Sequence, residues 1–211
     1  AVTVLDPAAW PLATLLPQAA GEALLAPLEK LGVTWRLGQA VTQVNHSESG
    51  YRLTLGNGET LSIDLVLSAV GLRPRIALAK DAGLAVNRGI VADAFLRSSD
   101  ADIFALGDCA EIEEQTRPFV LPIMHAARAL AQTLAGTPTA ATFPPMPVVI
   151  KTPACPVAVQ PVARGAQGAW EITADERGVK GLFYDSERRL KGFALTQGHV
   201  DERAALTNRL N

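Results

Sequence analysis

The stretch Asp102-Ile103-Phe104-Ala105-Leu106-Gly107-Asp108 decides how this chain is read. It predicts a short buried strand that runs into a glycine and then a carboxylate. An apolar segment carrying an aromatic suits a covered strand. Gly107 lets another backbone or a ligand approach closely at the strand's end. Asp108 then stands at the carboxyl end of a parallel strand, where open α/β sheets bind ligands. A carboxylate in that place accepts hydrogen bonds from ribose or ribitol hydroxyls. The same residues also read as a plain strand ending in a Gly-Asp turn.

A second segment, Asp64-Leu65-Val66-Leu67-Ser68-Ala69-Val70-Gly71-Leu72-Arg73-Pro74, predicts another apolar strand ending in glycine, and Gly71 lies 36 positions before Gly107. Together the two resemble late fingerprints of the pyridine-nucleotide flavin reductases that carry two dinucleotide-binding folds. In that family a strand ending in Ala-x-Gly-x-x-Pro returns the chain from the NAD domain to the FAD domain. A later (Phe/Tyr)-Ala-x-Gly-Asp holds the ribityl chain of the flavin. Ala69, Gly71 and Pro74 match the first pattern, and Phe104, Ala105, Gly107 and Asp108 match the second. The resemblance implies FAD and NADH as cofactors, with Gly71, Gly107 and Asp108 at the flavin.

The family's Gly-x-Gly-x-x-Gly phosphate loop does not occur after any apolar strand of this sequence, so no cradle of that type is expected here. The opening Ala1-Val2-Thr3-Val4-Leu5-Asp6 resembles the second strand of an NAD-binding unit. The expectation is therefore the C-terminal part of a longer reductase. Its fold class is α/β: an incomplete pair of dinucleotide-binding (Rossmann-like) folds plus a small α+β C-terminal domain. The expected divisions are NAD-binding residues 1–70, FAD-binding residues 71–137, a Pro-rich linker over 138–147 and an interface domain over 148–211. Under the resemblance Asp6 accepts bonds from the adenosine ribose and repels a 2′-phosphate, which favours NADH over NADPH. Asp6 before Pro7 also reads as a simple strand-end turn.

Composition bounds the alternatives. The 211 residues are 48% hydrophobic and 19% charged with net charge −2, values of a globular protein with an ample core. No apolar run approaches the roughly 20 residues that cross a bilayer. The slightly negative charge and the lack of a basic cluster argue against nucleic acid. Cys109 and Cys155 are the only cysteines and form no Cys-x-x-Cys. They suggest a reducing, cytoplasmic compartment and argue against a dithiol redox centre. Cys109 is expected to be a small buried residue. No spacing suits zinc or an iron–sulfur cluster, so no metal ligand is expected.

Periodicity fills in the elements. Leu24, Leu28 and Leu31 predict a helix over 18–31 closed by Gly32, with Pro27 predicting a kink or a break. Residues 33–36 read as a strand. Residues 41–45, 51–55 and 60–63 read as an antiparallel meander, with Gly56-Asn57-Gly58 as a hairpin loop. A short helix over 76–82 ends at Gly83, and 89–94 adds a strand. Glu111-Ile112-Glu113-Glu114 reads as a solvated acidic loop. Ile123, Ala127, Leu130 and Leu134 predict one apolar helix face, with Pro122 at the first helical position and Gly136 past the end. Beyond the linker, 148–152, 156–162, 169–173, 179–184 and 190–196 are strand candidates, and 200–210 reads as a terminal helix.

The helix N-terminus predicted near 121–124 offers free N–H groups and a partial positive charge. The resemblance points it at the flavin pyrimidine, with Met124 and His125 in its first turn. A lone His there also reads as a structural hydrogen-bonding residue. Lys151-Thr152-Pro153-Ala154-Cys155-Pro156 resembles rubredoxin reductases and flavorubredoxin reductases, in which the lysine lies close to the flavin ring. Lys151 then favours the reduced, anionic flavin; a strand-end lysine in water is the plainer reading. The whole implies an FAD-dependent enzyme passing electrons from NADH to rubredoxin or a similar small iron–sulfur carrier, with no catalytic side chain required. Arg73, Arg75 and Lys80 are candidates by charge for an acidic partner. A ferredoxin reductase or NADH oxidase of the same fold, or a non-catalytic packing module, are the other readings.

Overall fold

The computed structural model describes residues 1–163 and 165–210. Packing divides the chain into two units, Ser68–Pro144, inner in sequence, and Ala1–Leu67 together with the chain from Pro145 onward, outer in sequence. It thus joins stretches that the sequence assigns to separate domains, 1–70 and 148–211.

The chain opens with β1 (Val2–Asp6), α1 (Gln18–Glu22), α2 (Leu25–Glu29) and β2 (Val33–Leu37), and β1 pairs with β2 in parallel. The helix expected over 18–31 is broken between α1 and α2. Pro27 lacks the N–H that would bond the carbonyl four residues back, at Ala23. Next come β3 (Val41–Ser47), β4 (Gly50–Leu55) and β5 (Thr60–Ile63), an antiparallel meander in that order. Its second turn uses Gly58 at φ +85°, and the Asn57 side chain accepts the Glu59 N–H at 3.0 Å. Arg36 on β2 donates to both Glu59 oxygens at 2.7 and 2.8 Å and so ties the crossover to the meander.

The two strands expected at 65–69 and 103–106 do not form. Leu65 and Leu67 are 78% and 84% exposed, and Phe104 makes one isolated antiparallel bridge with Arg97. An apolar run becomes a strand only when a neighbour pairs its N–H and C=O groups. Among the described residues no strand pairs with 65–69, and 103–106 meets only the short 96–98 segment, through the Ala105 N–H on the Leu96 carbonyl at 2.9 Å and the Ser98 N–H on the Ile103 carbonyl at 2.8 Å.

The inner unit is built from α3 (Ala77–Asp81), β6 (Ile90–Ala92), β7 (Ala110–Ile112), β8 (Gln115–Thr116) and α4 (Val120–Leu134). β7 runs parallel to β6 and antiparallel to β8. The acidic run is therefore not a solvated loop. Glu111 is 3% exposed on β7, and Glu113 and Glu114, at φ 53° and 60°, form the tight turn to β8. The core of this unit packs Pro122, Ala126 and Ala129 of α4 near Leu96, Ala105, Ala110 and Ile112. The buried face is thus the alanine stripe, and Leu134, expected inside, is 64% exposed. Ala141 and Phe143 of the expected linker pack on the same core, and Arg117 lies 4.2 Å over the Phe143 ring.

The returning chain adds β9 (Val148–Ile150), β10 (Val157–Gln160), β11 (Ala169–Asp175), β12 (Gly178–Tyr184) and β13 (Leu190–Thr196). They form an antiparallel sheet in the order β11-β12-β13-β10-β9. Alternation along the strands sorts two cores. Val157, Val159 and Ala194 pack with Leu16, Ala20 and Leu24. Ala158, Phe193 and Leu195 pack with Leu206 on the opposite face. The helix expected over 200–210 is a 3-10 turn, Gln197–Glu202, followed by α5 (Arg203–Asn208). Among the described residues no helix is long and apolar enough to cross a membrane.

Candidate functional site

The inner unit holds a cleft of about 480 Å³. Arg73, Pro74, Arg75, Asp108, Cys109 and Ile123 all line it. Both glycine-terminated motifs and the start of α4 therefore meet at one place, although they are well separated in sequence.

Each wall has a local cause. Gly71 and Gly107 take φ +89° and +92°, a conformation that glycine adopts at no cost, and a Cβ at either would meet nothing within 4 Å. Glycine is thus required by the turn rather than by contact with a neighbouring chain. Asp108 does not end a strand, as expected; it sits in the turn that leads into β7, where the Ala110 N–H bonds the Gly107 carbonyl at 3.1 Å. Its carboxylate is exposed, and Cys109 beside it is half-buried rather than buried. The Ile90 N–H donates to the Cys109 carbonyl at 2.7 Å and fixes that turn to β6. Glu111 holds the same region from below: Oε1 accepts from Asn87 Nδ2 at 2.9 Å and Oε2 from the Gly89 N–H at 2.7 Å. A Cβ on Gly89 would stand 2.7 Å from the Cys109 carbonyl oxygen, so that approach also requires glycine.

α4 begins at Val120 with Phe119 as its N-cap, two residues earlier than expected. Pro122 is therefore the third helical residue, where its missing N–H is still one the helix leaves unbonded. Met124, exposed, and His125, half-buried, lie one turn in rather than in the first turn.

The remaining expected site residues belong to the other unit. Asp6 ends β1, and its Oδ1 accepts the Ala8 N–H at 2.8 Å. Lys151 is exposed just past β9, at the start of a turn closed by Thr152 Oγ1 donating to the Cys155 carbonyl at 2.5 Å. Cys155 is fully buried, and burial pushes its thiol pKa up.

One charged constellation is invisible in the sequence reading. His199 is almost fully buried, with Nδ1 2.9 Å from Glu202 Oε1 and Nε2 3.0 Å from Asp175 Oδ1. Lys180 Nζ donates to Glu202 Oε2 at 2.5 Å, and the Arg177 N–H donates to Asp175 at 2.8 Å. The Arg177 N–H, then His199, hold the Asp175 carboxyl below its ordinary range; Lys180, then His199, do the same for Glu202. The His-x-x-Glu spacing of 199 and 202 is the one signal the sequence offered, because three residues is one turn. Among the described residues no cluster of His, Cys, Asp and Glu could hold a metal ion.

The parallel β1–β2 crossover and the two glycine turns next to one cleft belong to the α/β class of fold. Residues 1–133 match the pyridine nucleotide-disulphide oxidoreductase family, and the chain belongs to that family. Residues 140–210 match the rubredoxin binding C-terminal domain. The chain is 48% identical over 210 residues to a rubredoxin-NAD(+) reductase of Alcanivorax borkumensis, covering 99% of this chain and 55% of the relative. It is 39% identical to a nitric oxide reductase FlRd-NAD(+) reductase of Aliivibrio fischeri, covering 100% and 55%. Among solved structures, an FAD-dependent pyridine nucleotide-disulphide oxidoreductase from Desulfovibrio vulgaris superposes with TM-score 0.83 at 24% identity, covering 98% of this chain and 55% of that one. The chain spans about half the length of the curated relatives it matches.

Proposed function

We propose that this chain serves an FAD-dependent reductase that passes electrons from NADH to rubredoxin or a similar small iron–sulfur carrier in the cytoplasm. The observation that carries the reading is the single cleft lined by Asp108, by the Arg73-Pro74 turn and by Ile123 at the start of α4. The rubredoxin binding match over 140–210 favours the carrier, and the nitric oxide reductase FlRd-NAD(+) reductase relative is why a similar acceptor is included.

The residues present fit part of a flavin dinucleotide. Asp108 offers an exposed carboxylate to ribityl hydroxyls, Gly107 next to it presents no side chain, and Gly71 is the turn that leads into the cleft-lining Leu72 to Arg75. The first N–H groups of α4, on Val120 and Leu121, together with the helix dipole, favour negative charge in front of the helix's first turn, and in this reading Met124 and His125, one turn further in, also face the flavin. In this reading Asp6 accepts the adenosine ribose hydroxyls and Lys151 supplies a cation near the flavin ring. FAD, when bound, supplies two-electron acceptance from a nicotinamide and one-electron release to an iron carrier. The protein's share is binding, orientation and electrostatics, so no side-chain acid, base or nucleophile is assigned.

The test is the visible absorption of the purified protein with FAD added, before and after anaerobic NADH. A bound flavin spectrum that bleaches with NADH supports the reading. A full-length relative chain without flavin would overturn it.

A further inference from the structure

His199 makes two contacts that a neutral ring cannot satisfy together. A neutral imidazole has one N–H and one lone pair, whereas both ring nitrogens here face carboxylate oxygens, Nδ1 on Glu202 and Nε2 on Asp175. An ionised carboxylate only accepts. Both carboxyls are held in that form by other donors: the Arg177 N–H shares the Asp175 oxygen, and Lys180 Nζ takes the second Glu202 oxygen. Separations of 2.9 and 3.0 Å leave no room for a bridging water, and the ring is 5% exposed. The closed arrangement therefore needs an imidazolium that donates twice. Among the ion pairs of the described residues, only Asp175 at the end of β11 and Glu202 on the ring's own turn reach it, with Arg177 and Lys180 of β12 behind Glu202.

The two partners are unequal. Glu202 is three residues from His199 on the same 3-10 turn and keeps Lys180 whatever the ring does. Asp175 comes from 24 residues away and is 44% exposed. Without the ring it keeps only the Arg177 N–H of its own turn. That turn also meets the 3-10 turn through the Gly198 N–H on the Arg177 carbonyl at 2.9 Å and through Arg177 Nη2 on the Gly198 carbonyl at 2.7 Å. A ring with one proton can stay on Glu202, but it then turns a lone pair toward the Asp175 charge.

We propose that His199 is a proton-operated clamp: as an imidazolium it fastens Asp175 at the end of β11 to the 3-10 turn, and on losing one proton it keeps Glu202 and releases Asp175. All of these residues lie in the 140–210 stretch, so the switch acts within the part that matches the rubredoxin binding domain. It does not depend on a flavin being bound.

The test follows histidine ring nitrogen signals and amide protection factors against pH in the whole 211-residue protein, with the exposed His46 as internal standard. Protection is taken relative to intrinsic exchange, so base catalysis cancels. Both His199 nitrogens should carry protons wherever the Gly198 amide is fully protected. As the ring becomes neutral, the Arg177 and Gly198 amides should lose protection about tenfold or more, the size expected of one charge-assisted hydrogen bond, while the β12–β13 ladder keeps its own. Asp175→Asn should erase that linked loss, because a carboxamide accepts from an N–H and, turned over, donates to a lone pair. A neutral His199 ring in the fully protected protein overturns the proposal, and so does a linked loss that Asp175→Asn leaves unchanged. A ring that stays doubly protonated until the whole chain unfolds makes the contact purely structural and overturns the switch. The ring signals of the unmodified protein decide the matter even if the variant fails to fold.

Discussion

Cys155 donates its thiol to the backbone carbonyl of Ala23 across 3.6 Å, joining residues 132 positions apart. That carbonyl is the one Pro27 leaves without a helical donor. The break between α1 and α2 and the turn before β10 therefore repair one another, inside the core of Leu16, Ala20, Leu24, Val157 and Val159. Cys155→Ala removes both the donor and buried volume. It should cost about 1–3 kcal/mol, read as a lower urea midpoint with an unchanged slope.

The two thiols should differ in reactivity. Cys155 is fully buried with its pKa raised by burial, whereas Cys109 is half-buried at the cleft. Ellman's reagent should titrate one thiol quickly in the native protein and the second only on unfolding. Cys109→Ala should abolish the fast phase.

Glu111 anchors the 87–89 turn to β7 through both carboxylate oxygens. Glu111→Ala removes both acceptors and leaves the Gly89 N–H and the Asn87 amide without their partner. The variant should lose about 1–3 kcal/mol of stability in thermal or denaturant melts. Glu114→Gln, on the exposed turn, should change it by less than about 0.5 kcal/mol.

Asp175 and Glu202 both have folded pKa values below their ordinary ones. Such groups add stability that is fully present above the unfolded pKa and is lost as pH falls through the folded one. The urea midpoint should therefore drop between roughly pH 5 and pH 3. The double variant Asp175→Asn/Glu202→Gln should be weaker at neutral pH and show a flatter acid limb.

Gly107→Ala should cost about 1–2 kcal/mol through its positive φ alone, because a Cβ there has open space. Gly89→Ala should cost more, because its Cβ meets the Cys109 carbonyl oxygen.

Local chemistry was legible and pairing was not. The meander, its Asn57-Gly58 turn and the β10–β13 strands follow from alternation and turn residues, which act over a few positions. So does the break at Pro27. The runs at 65–69 and 103–106 misled because hydrophobicity states a wish for burial, while strand formation depends on a partner that sequence does not name. On α4 the leucines drew the expected face toward themselves, yet Ala126 and Ala129 are the residues small enough to lie against β7. Glu111 read as solvated because its two donors, Asn87 and Gly89, sit more than 20 positions away. At the candidate site the motifs named Asp108 and Pro74, which line one cleft, while Arg73 and Arg75 in the same wall were candidates only by charge for an acidic partner.

The outer unit also sets the order in which the molecule can be completed on the ribosome. Its core needs Leu16, Ala20 and Leu24 from the first chain segment and Cys155, Val157, Val159 and Ala194 from the last. The inner unit uses one uninterrupted stretch, 68–144. During synthesis the inner unit can close as soon as it emerges, while the first segment waits with its apolar helices uncovered until β10 and β13 are made. Once residue 144 has left the ribosome the 68–144 unit can be finished, while the 1–67 stretch still awaits β10 and β13 and would be the part that chaperones meet.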